Sequence, residues 1–278
     1  MIKIITDTTA GLPAEIAEKY GIPVVPQIVT FGDESFYEGI ELDNDAFLAR
    51  LRASPELPKT SAPPPELFAQ EFARWVPSGI PILCIHPSAD VSGTVRSASV
   101  AALDFPGADI RVIDTRVVAS PLATLVQLAA EWAAAGEDID TVETRLKAMI
   151  PRSRIYFLVA TLEYLQKGGR IGGASALIGT MLQIKPILEL RNGRVEPLEK
   201  VRTHRQALER LKELVIEQCP RDPAAHLSVM NAGEVEAAER LAHELASTLG
   251  AKHVPIYNVG ASITTHGGPG ILAVAFFV

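Results

Sequence analysis

The sequence is short of cysteine and of positive charge, and each shortage excludes a kind of protein. Only Cys84 and Cys219 are present among 278 residues, too few for a disulfide framework or a cysteine-based metal site. Lysine and arginine total 26 against 33 aspartates and glutamates, a formal net charge of −7. Because a nucleic-acid backbone is held by a basic surface, we expect no nucleic-acid partner.

Long hydrophobic runs are also missing, although 47% of the residues are hydrophobic. The first apolar run, residues 1–5, passes directly into Thr6 and Asp7. A membrane span needs about 20 apolar residues, and a signal peptide needs a longer apolar core than this run provides. We therefore expect no integral membrane segment and a cytoplasmic protein, whose hydrophobic residues form a large core or line a cavity.

Short runs rich in β-branched residues alternate with stretches of helical periodicity, which is typical of an α/β fold with a mostly parallel sheet. Residues 2–6, 82–86 and 110–114 are predicted strands of a first lobe that covers about residues 1–153. By chain order, a helix predicted at residues 43–52 belongs to this lobe.

The pattern changes at Arg154, where a second and smaller α/β lobe is predicted to begin and to extend over residues 154–278. Asn192-Gly193 lies between two strand-like segments of this lobe, which is a strong local signal for a β-hairpin. A return of the chain to the first lobe near the C-terminus stays open.

A hydroxyl-rich turn follows the first predicted strand. Open α/β sheets bind ligands at the carboxyl ends of their parallel strands, where backbone amides and hydroxyls converge. Asp7 is equally well explained as a ligand contact or as a helix cap, whereas Thr9 is better explained as a cap. Since Gly11 is the only glycine of this turn, the turn is not a dinucleotide-binding loop.

Two further segments place hydroxyls beside predicted helix starts. Thr60 and Ser61 precede a proline run, and neutral donors held in fixed geometry bind a carboxylate at little entropic cost; an ordinary turn would look the same. Ser92-Gly93-Thr94 follows a buried strand and precedes a helix, a favourable place for an anion.

An enzymatic alternative uses Ser92 as the nucleophile of a lipid or ester hydrolase, with His86 as its base. Against it, no glycine-serine-glycine elbow surrounds Ser92, and the sequence names no acidic residue to orient His86. The chain also shows no Walker loop, metal cluster or paired catalytic carboxylates. We expect a binding protein without catalytic residues, metal or cofactor.

Three charged or polar positions remain. Lys167 and Arg170 flank Gly168-Gly169, an arrangement that suits phosphate contact, a docking surface or a solvated turn. His266 lies in a glycine-rich loop, where it could donate to a carboxylate; as an isolated histidine it is poor support for a metal site.

Taken in order, these segments resemble the DegV family, whose members share a D-S-T-A opening, a T-S-Q-P loop, an S-G-T turn, a T-L-E-Y-L-x-K-G-G-R-I stretch, an I-K-P-I-L segment with K-V-R-T, and a T-H-x-G-P-G close. The resemblance spans the whole chain, and residues 161–172 and 266–270 carry its most specific motifs. The chain departs from the pattern at Thr8, which replaces Ser, at 62–64, where Ala-Pro-Pro replaces Gln-Pro-Ser, and at Gly267-Gly268.

The resemblance implies a single two-lobed domain over residues 1–278 that is a lipid carrier and not an enzyme. It implies one long-chain, palmitate-like fatty acid as ligand, held in a closed pocket between the lobes. It further implies that the protein presents this acid to a separate fatty acid kinase, which forms the acyl phosphate used in phospholipid metabolism.

The resemblance also assigns residues by position. Those assigned to the fatty-acid carboxylate are Thr60 and Ser92, with Ser61, Gly93 and Thr94 close by. Arg202 and His266 are assigned to the head-group region where phosphate is transferred. From their own charge, Lys167 and Arg170 are expected on a surface that docks an acidic partner, because charged residues are costly inside an apolar cavity.

Overall fold

The computed structural model describes residues 1–179 and 184–278. Its strands are β1 (Lys3–Asp7), β2 (Val24–Val25), β3 (Ile28–Phe31), β4 (Glu34–Tyr37), β5 (Lys59–Ser61), β6 (Ile82–His86), β7 (Ile110–Asp114), β8 (Ser153–Leu158), β9 (Lys185–Arg191), β10 (Arg194–Val201), β11 (Ser228–Asn231), β12 (Ile256–Asn258) and β13 (Leu272–Phe277). Its α-helices are α1 (Ala14–Tyr20), α2 (Asn44–Ala53), α3 (Pro65–Trp75), α4 (Thr94–Ala102), α5 (Ser120–Ala134), α6 (Ile139–Met149), α7 (Glu163–Lys167), α8 (His204–Gln218), α9 (Val235–Leu249) and α10 (Ala261–Gly267).

The chain forms two compact units, and the predicted α/β class is confirmed. Unit 1 comprises residues 1–43 and 58–151, and unit 2 comprises residues 44–57 and 152–278. In the described part of the chain, no helix is long and apolar enough to cross a membrane.

Unit 1 is built on a parallel sheet with strand order β2-β1-β6-β7. All five residues of β6 are buried, as expected of an inner strand covered by helices on its faces. Phe68 and Phe72 of α3 pack with Ala98 and Ala101 of α4 in the core over one face of this sheet. Because the strands are parallel, the carboxyl ends of β2, β1 and β6 lie at one edge.

A small antiparallel sheet with strand order β4-β3-β5 completes unit 1. Thr60 pairs with Val29 and Ser61 pairs with Ile28 in its register. Thr60 and Ser61, for which the sequence left an ordinary turn open, therefore lie in an extended edge strand that continues into the prolines before α3.

Unit 2 contains a six-stranded sheet with strand order β10-β9-β8-β13-β11-β12. Helices α8 and α9 cover it with a core that includes Leu211, Leu245 and Phe276. The predicted hairpin at Asn192-Gly193 is confirmed between β9 and β10; both turn residues have positive φ, 51° and 82°, as the favoured two-residue hairpin turn requires. The C-terminal strand β13 lies inside this sheet, so the chain ends in unit 2.

One segment lies in a different unit from the one that chain order suggests. The helix predicted at residues 43–52 is α2, which buries Phe47 and Leu51 and belongs to unit 2. Its Leu48 side chain comes within 3.6 Å of the Cβ position of Gly233. With α2 included, the two units are of nearly equal length. Periodicity predicts the helix, but it does not specify which core the apolar face joins.

Candidate functional site

A buried polar cluster lies at the carboxyl edge of the unit 1 sheet. Asp7, at the end of β1, accepts hydrogen bonds at Oδ1 from the Thr9 amide at 3.0 Å, the Thr9 hydroxyl at 2.6 Å and Gln27 Nε2 at 3.0 Å. Its Oδ2 lies 2.7 Å from Nδ1 of His86, at the end of β6. Asp7 and His86 are both fully buried, and these bonds offset the cost of removing a carboxylate from water.

This cluster continues to the turn before α4. Gln27 Nε2 also donates to Thr94 Oγ1 at 2.8 Å, and Thr94 Oγ1 lies 2.8 Å from Ser92 Oγ. Thr94 is fully buried and Ser92 is half-buried. A continuous hydrogen-bonded chain thus runs from His86 through Asp7, Gln27 and Thr94 to Ser92, which we call the Ser92 relay.

The two hydroxyl segments predicted from the sequence lie side by side. The Cβ of Ala62 comes within 3.4 Å of the Cβ position of Gly93, so the end of β5 adjoins the start of α4. Gly93 is the N-cap residue of α4 and, as a glycine, offers no side-chain hydrogen bond to the start of the helix. Thr60 is half-buried and Ser61 is exposed. Unit 1 therefore places the two segments that hold the five residues assigned to the carboxylate next to each other, at the contact of Ala62 with Gly93.

The sequence did not reveal Gln27, which links the two parts of the relay. No sequence signal marked it, because residues 24–31 are predicted as one strand; the structure divides them into β2 and β3, and Gln27 lies between the two. The structure also shows what Asp7 does: it caps the short turn at Thr8–Ala10 and holds Gln27 and His86. Of the two explanations left open for Asp7, the cap is therefore confirmed, whereas Thr9, predicted as a cap, lies inside this turn and donates to Asp7.

The hydrolase alternative requires a hydrogen bond between Ser92 and His86, and the described residues do not form it. Asp7 supplies the acidic partner for His86 that the sequence could not name, but Ser92 Oγ is bonded to Thr94. The other ring nitrogen of His86, Nε2, is buried and has no hydrogen-bond partner among residues 1–179 and 184–278. A serine nucleophile needs its base within hydrogen-bond reach, and His86 is not in that place.

In unit 2 the two most specific motifs pack against each other. A Cβ atom on Gly168 would overlap Nδ1 of His266, and a Cβ atom on Gly268 would lie 2.5 Å from Cδ2 of Tyr164. Arg170 Nη1 donates to the Gly168 carbonyl at 2.7 Å. We call these five residues the His266 cluster; its glycines are required because rings from the facing motif occupy the space of a side chain.

The imidazole of the His266 cluster is uncharged at neutral pH. Burial, assisted by the positive charge of Arg170, lowers the pKa of His266 to about 4, against a smaller opposing effect of the Gly168 backbone. Burial disfavours the charged imidazolium, and a nearby cation does the same. The cluster thus combines one fixed positive charge, on Arg170, with a neutral histidine.

The two other charged positions lie outside this cluster. Lys167 is exposed and forms an ion pair with Glu163 one helical turn away, at 2.6 Å. Arg202 is exposed just after β10 and lines a groove with Arg205 and Glu199. Of the four residues predicted for head group and docking, the structure therefore brings Arg170 and His266 together.

We expect His266 to make the stability of unit 2 depend on pH between about 6.5 and about 4. The pKa of an unfolded histidine is about 6.5, so over this range the unfolded chain binds a proton that the folded chain does not. Stability rises with pH wherever the unfolded state binds more protons. The stabilising contribution of the neutral His266 is present above about pH 6.5 and is lost as the pH falls towards the folded pKa of about 4.

Urea unfolding at pH 7.0 and pH 4.5 measures this effect. Between pH 7.0 and pH 4.5, the free energy of unfolding of the His266→Gln variant should fall by about 2 kcal/mol less than that of the unchanged protein. The His243→Gln variant is the matched control, because His243 is exposed on α9, and it should follow the unchanged protein. Identical losses in all three proteins would contradict the assignment.

The geometry first defines a class of protein. It is an α/β protein with a row of uncharged hydroxyl donors at the carboxyl edge of a parallel sheet, where such sheets bind small ligands. Among the described residues, no group of three or more histidine, cysteine, aspartate or glutamate side chains is placed to hold a metal ion.

The chain belongs to the DegV family. The family's sequence model, described as an uncharacterised protein of the DegV family, matches residues 1–278. A DegV domain-containing protein of Streptomyces coelicolor is 40% identical over 275 residues, which cover 98% of this chain and 97% of that protein.

Solved structures of similar proteins extend this comparison. A DegV family protein from Thermus thermophilus, described for its fatty acid binding, has a TM-score of 0.91 and 32% identity over 100% of this chain and 99% of that one. A stearic acid-binding protein from Eubacterium ventriosum has a TM-score of 0.89 and 27% identity over 100% of this chain and 98% of that one.

Proposed function

We propose that this protein binds one long-chain fatty acid in a closed pocket and presents it to a separate fatty acid kinase for acyl-phosphate formation. The observation that carries the binding part is the Ser92 relay, which ends in the half-buried hydroxyl of Ser92, in a segment that adjoins the end of β5. Neutral donors in such a place suit a single carboxylate head group. The similar Thermus thermophilus and Eubacterium ventriosum proteins, described as binding fatty acid and stearic acid, support the same ligand class.

The energetics of a fatty acid agree with a head-group site made of hydroxyls. Burial of each methylene contributes about 0.8 kcal/mol, so a palmitate-length tail contributes on the order of 10 kcal/mol before the cost of association. The tail supplies most of the affinity, and Thr60 and Ser92 need only orient the carboxylate. A tail that contributes this much must be shielded from water, which is why the proposal includes a closed pocket.

The His266 cluster supports the second part of the proposal. Phosphoryl transfer is accelerated by charges and donors held in place before the reaction. Arg170 offers such a charge, with its guanidinium tied to the Gly168 carbonyl, and neutral His266 offers one donor or one acceptor. We include Arg202 in the head-group assignment and place exposed Lys167 on the surface that the kinase contacts.

Native mass spectrometry of protein purified from cells tests the binding function directly. We expect a bound species whose mass matches a long-chain fatty acid and which is released on denaturation. Repeated purification without bound lipid, together with no binding of added palmitate, would overturn the proposal. Turnover of acyl esters by the protein alone would instead support the hydrolase alternative.

We expect Ser92→Ala and Thr60→Ala each to weaken fatty-acid binding about tenfold without unfolding the protein, because each removes one hydroxyl that faces a charged head group. A fluorescent fatty-acid titration measures the change in affinity. Ser99→Ala is the matched control: Ser99 lies on the same helix as Thr94, is exposed, and donates to the Val95 carbonyl of that helix at 2.8 Å. Unchanged affinity in both folded variants would remove Ser92 and Thr60 from the head-group site.

A further inference from the structure

The Ser92 relay determines whether the Ser92 hydroxyl donates its proton to Thr94 or to a ligand. The 2.8 Å contact between Ser92 Oγ and Thr94 Oγ1 is compatible with either hydroxyl as donor. A hydroxyl has one proton and can accept two hydrogen bonds. The direction of this one bond therefore decides whether Ser92 offers a proton or a lone pair to a ligand.

The direction of the hydrogen bond between Ser92 and Thr94 follows from the contacts of Asp7. Asp7 Oδ1 accepts from the backbone amide of Thr9 at 3.0 Å, and a backbone N–H can only donate, so this oxygen is an acceptor. The end of the Gln27 amide that faces it must then be the NH₂ group, 3.0 Å away, because the amide oxygen would repel it. His86 fixes the opposite oxygen of the same carboxylate at 2.7 Å.

The same Gln27 nitrogen lies 2.8 Å from Thr94 Oγ1. An amide nitrogen can only donate, so Thr94 accepts this bond and uses its own proton for its other neighbour, Ser92. The reverse direction would leave the proton of fully buried Thr94 without an acceptor among the contacts of the described residues, and an unmet buried donor is costly.

Ser92 Oγ therefore accepts from Thr94 Oγ1 and, at the longer distance of 3.3 Å, from the Thr94 backbone amide. Its acceptor capacity is used within the protein. We propose that Gln27 and Thr94 are positioning residues that keep Ser92 a hydrogen-bond donor, so that the head-group site selects a carboxylate over an alcohol on the same acyl chain. This inference rests on the proposed fatty-acid function and adds the origin of head-group selectivity.

The chemical consequence is a preference that tail burial cannot provide. A carboxylate accepts strong charge-assisted bonds and donates none, whereas an alcohol brings its own proton and accepts only weakly. A Ser92 hydroxyl free to turn would accept from the alcohol. The relay keeps the Ser92 hydroxyl a donor, and it does so through the uncharged side chains of Gln27 and Thr94.

Competition titrations with palmitate and hexadecanol test the inference through the ratio of the two affinities. Thr94→Val keeps the shape of the side chain but removes the hydroxyl, and Gln27→Met keeps the length but removes the donor. Each variant should lower the preference for palmitate over hexadecanol about tenfold. Thr94→Ser keeps the hydroxyl and should keep the ratio, even if overall affinity falls.

A combined variant separates positioning from general damage. If Thr94 acts through Ser92, the double variant Ser92→Ala with Thr94→Val should show the same ratio as Ser92→Ala alone, because the group that Thr94 orients is gone. Thermal melts confirm which variants remain folded, and either Thr94→Val or Gln27→Met is sufficient for the test.

The outcomes distinguish this inference from the function on which it rests. Failure of the unchanged protein to bind palmitate would overturn the fatty-acid function itself. Tight palmitate binding with an unchanged ratio in the folded Thr94→Val or Gln27→Met variant would overturn only the role of the relay. Equal loss of both ligands would do the same, because it indicates a structural role alone.

Discussion

Replacement of Gly268 by alanine is expected to lower the free energy of unfolding of unit 2 by about 3 kcal/mol. Gly268 has φ of +82°, where a side chain brings backbone strain of at least about 1 kcal/mol. Its new Cβ would also lie 2.5 Å from Cδ2 and 2.8 Å from Cγ of Tyr164. Displacing a packed aromatic ring adds about 1–3 kcal/mol.

Gly250→Ala is the matched control for this prediction. Gly250 also has a positive φ, +72°, but in the described part of the chain no atom beyond its chain neighbours lies within 4 Å of its Cβ position, so only the strain of about 1 kcal/mol is expected. Both glycines belong to unit 2, and urea unfolding followed by circular dichroism therefore compares one transition. Equal losses in the two variants would show that the Tyr164 ring moves aside at little cost.

The second large effect is expected in phosphoryl transfer. With a partner kinase supplied, Arg170→Ala and His266→Ala should each form acyl phosphate about a hundredfold more slowly, because removal of one preorganised group costs at least this much in comparable sites. Both variants should keep their bound fatty acid, since the tail supplies most of the affinity. Rates are measured by transfer of labelled phosphate, and bound lipid by native mass spectrometry.

Arg240→Ala is the control for the loss of a positive charge. Arg240 lies on α9 of the same unit, is exposed, and forms an ion pair with Glu236 of this helix at 3.6 Å; such exposed pairs contribute little. Its rate should equal that of the unchanged protein. Normal rates in both Arg170→Ala and His266→Ala would remove the His266 cluster from the transfer step, whereas loss of lipid from the folded variants would place these residues at the ligand.

Local features were predicted well from the sequence. The strands at Ile82–His86 and Ile110–Asp114 have the predicted bounds, because each is a short apolar run between turn residues. The hairpin turn at Asn192-Gly193 needs two residues with positive φ, and this pair adopts that conformation most readily. The same reasoning found α2 but assigned it to the neighbouring unit, since amphipathic periodicity shows a buried face and not its partner.

The polar residues were predicted as separate turns, and their partnerships were not. Ser92, Thr94, Asp7 and His86 each stood out next to a strand or helix end. The pairing that the sequence suggested, Ser92 with His86, is not the one in the structure, where His86 contacts Asp7 and Ser92 contacts Thr94. Arg170 and His266 were placed in different sites, because a charged residue between glycines and a histidine in a loop carry no mark of a shared contact.

By itself the sequence determined the α/β class, most strand positions and the glycine-rich turns, because these depend on backbone preferences and hydrophobic periodicity over a few neighbouring residues. Its motifs, taken in order, gave the resemblance to the family. Only the tertiary structure decided that His86 bonds Asp7 across 79 positions and that Gln27 bonds Thr94 across 67. It also decided that His266 packs on Gly168. Such contacts follow from strand order and from the packing of helices on the sheet, which bring distant residues within 3 Å and leave no pattern along the chain.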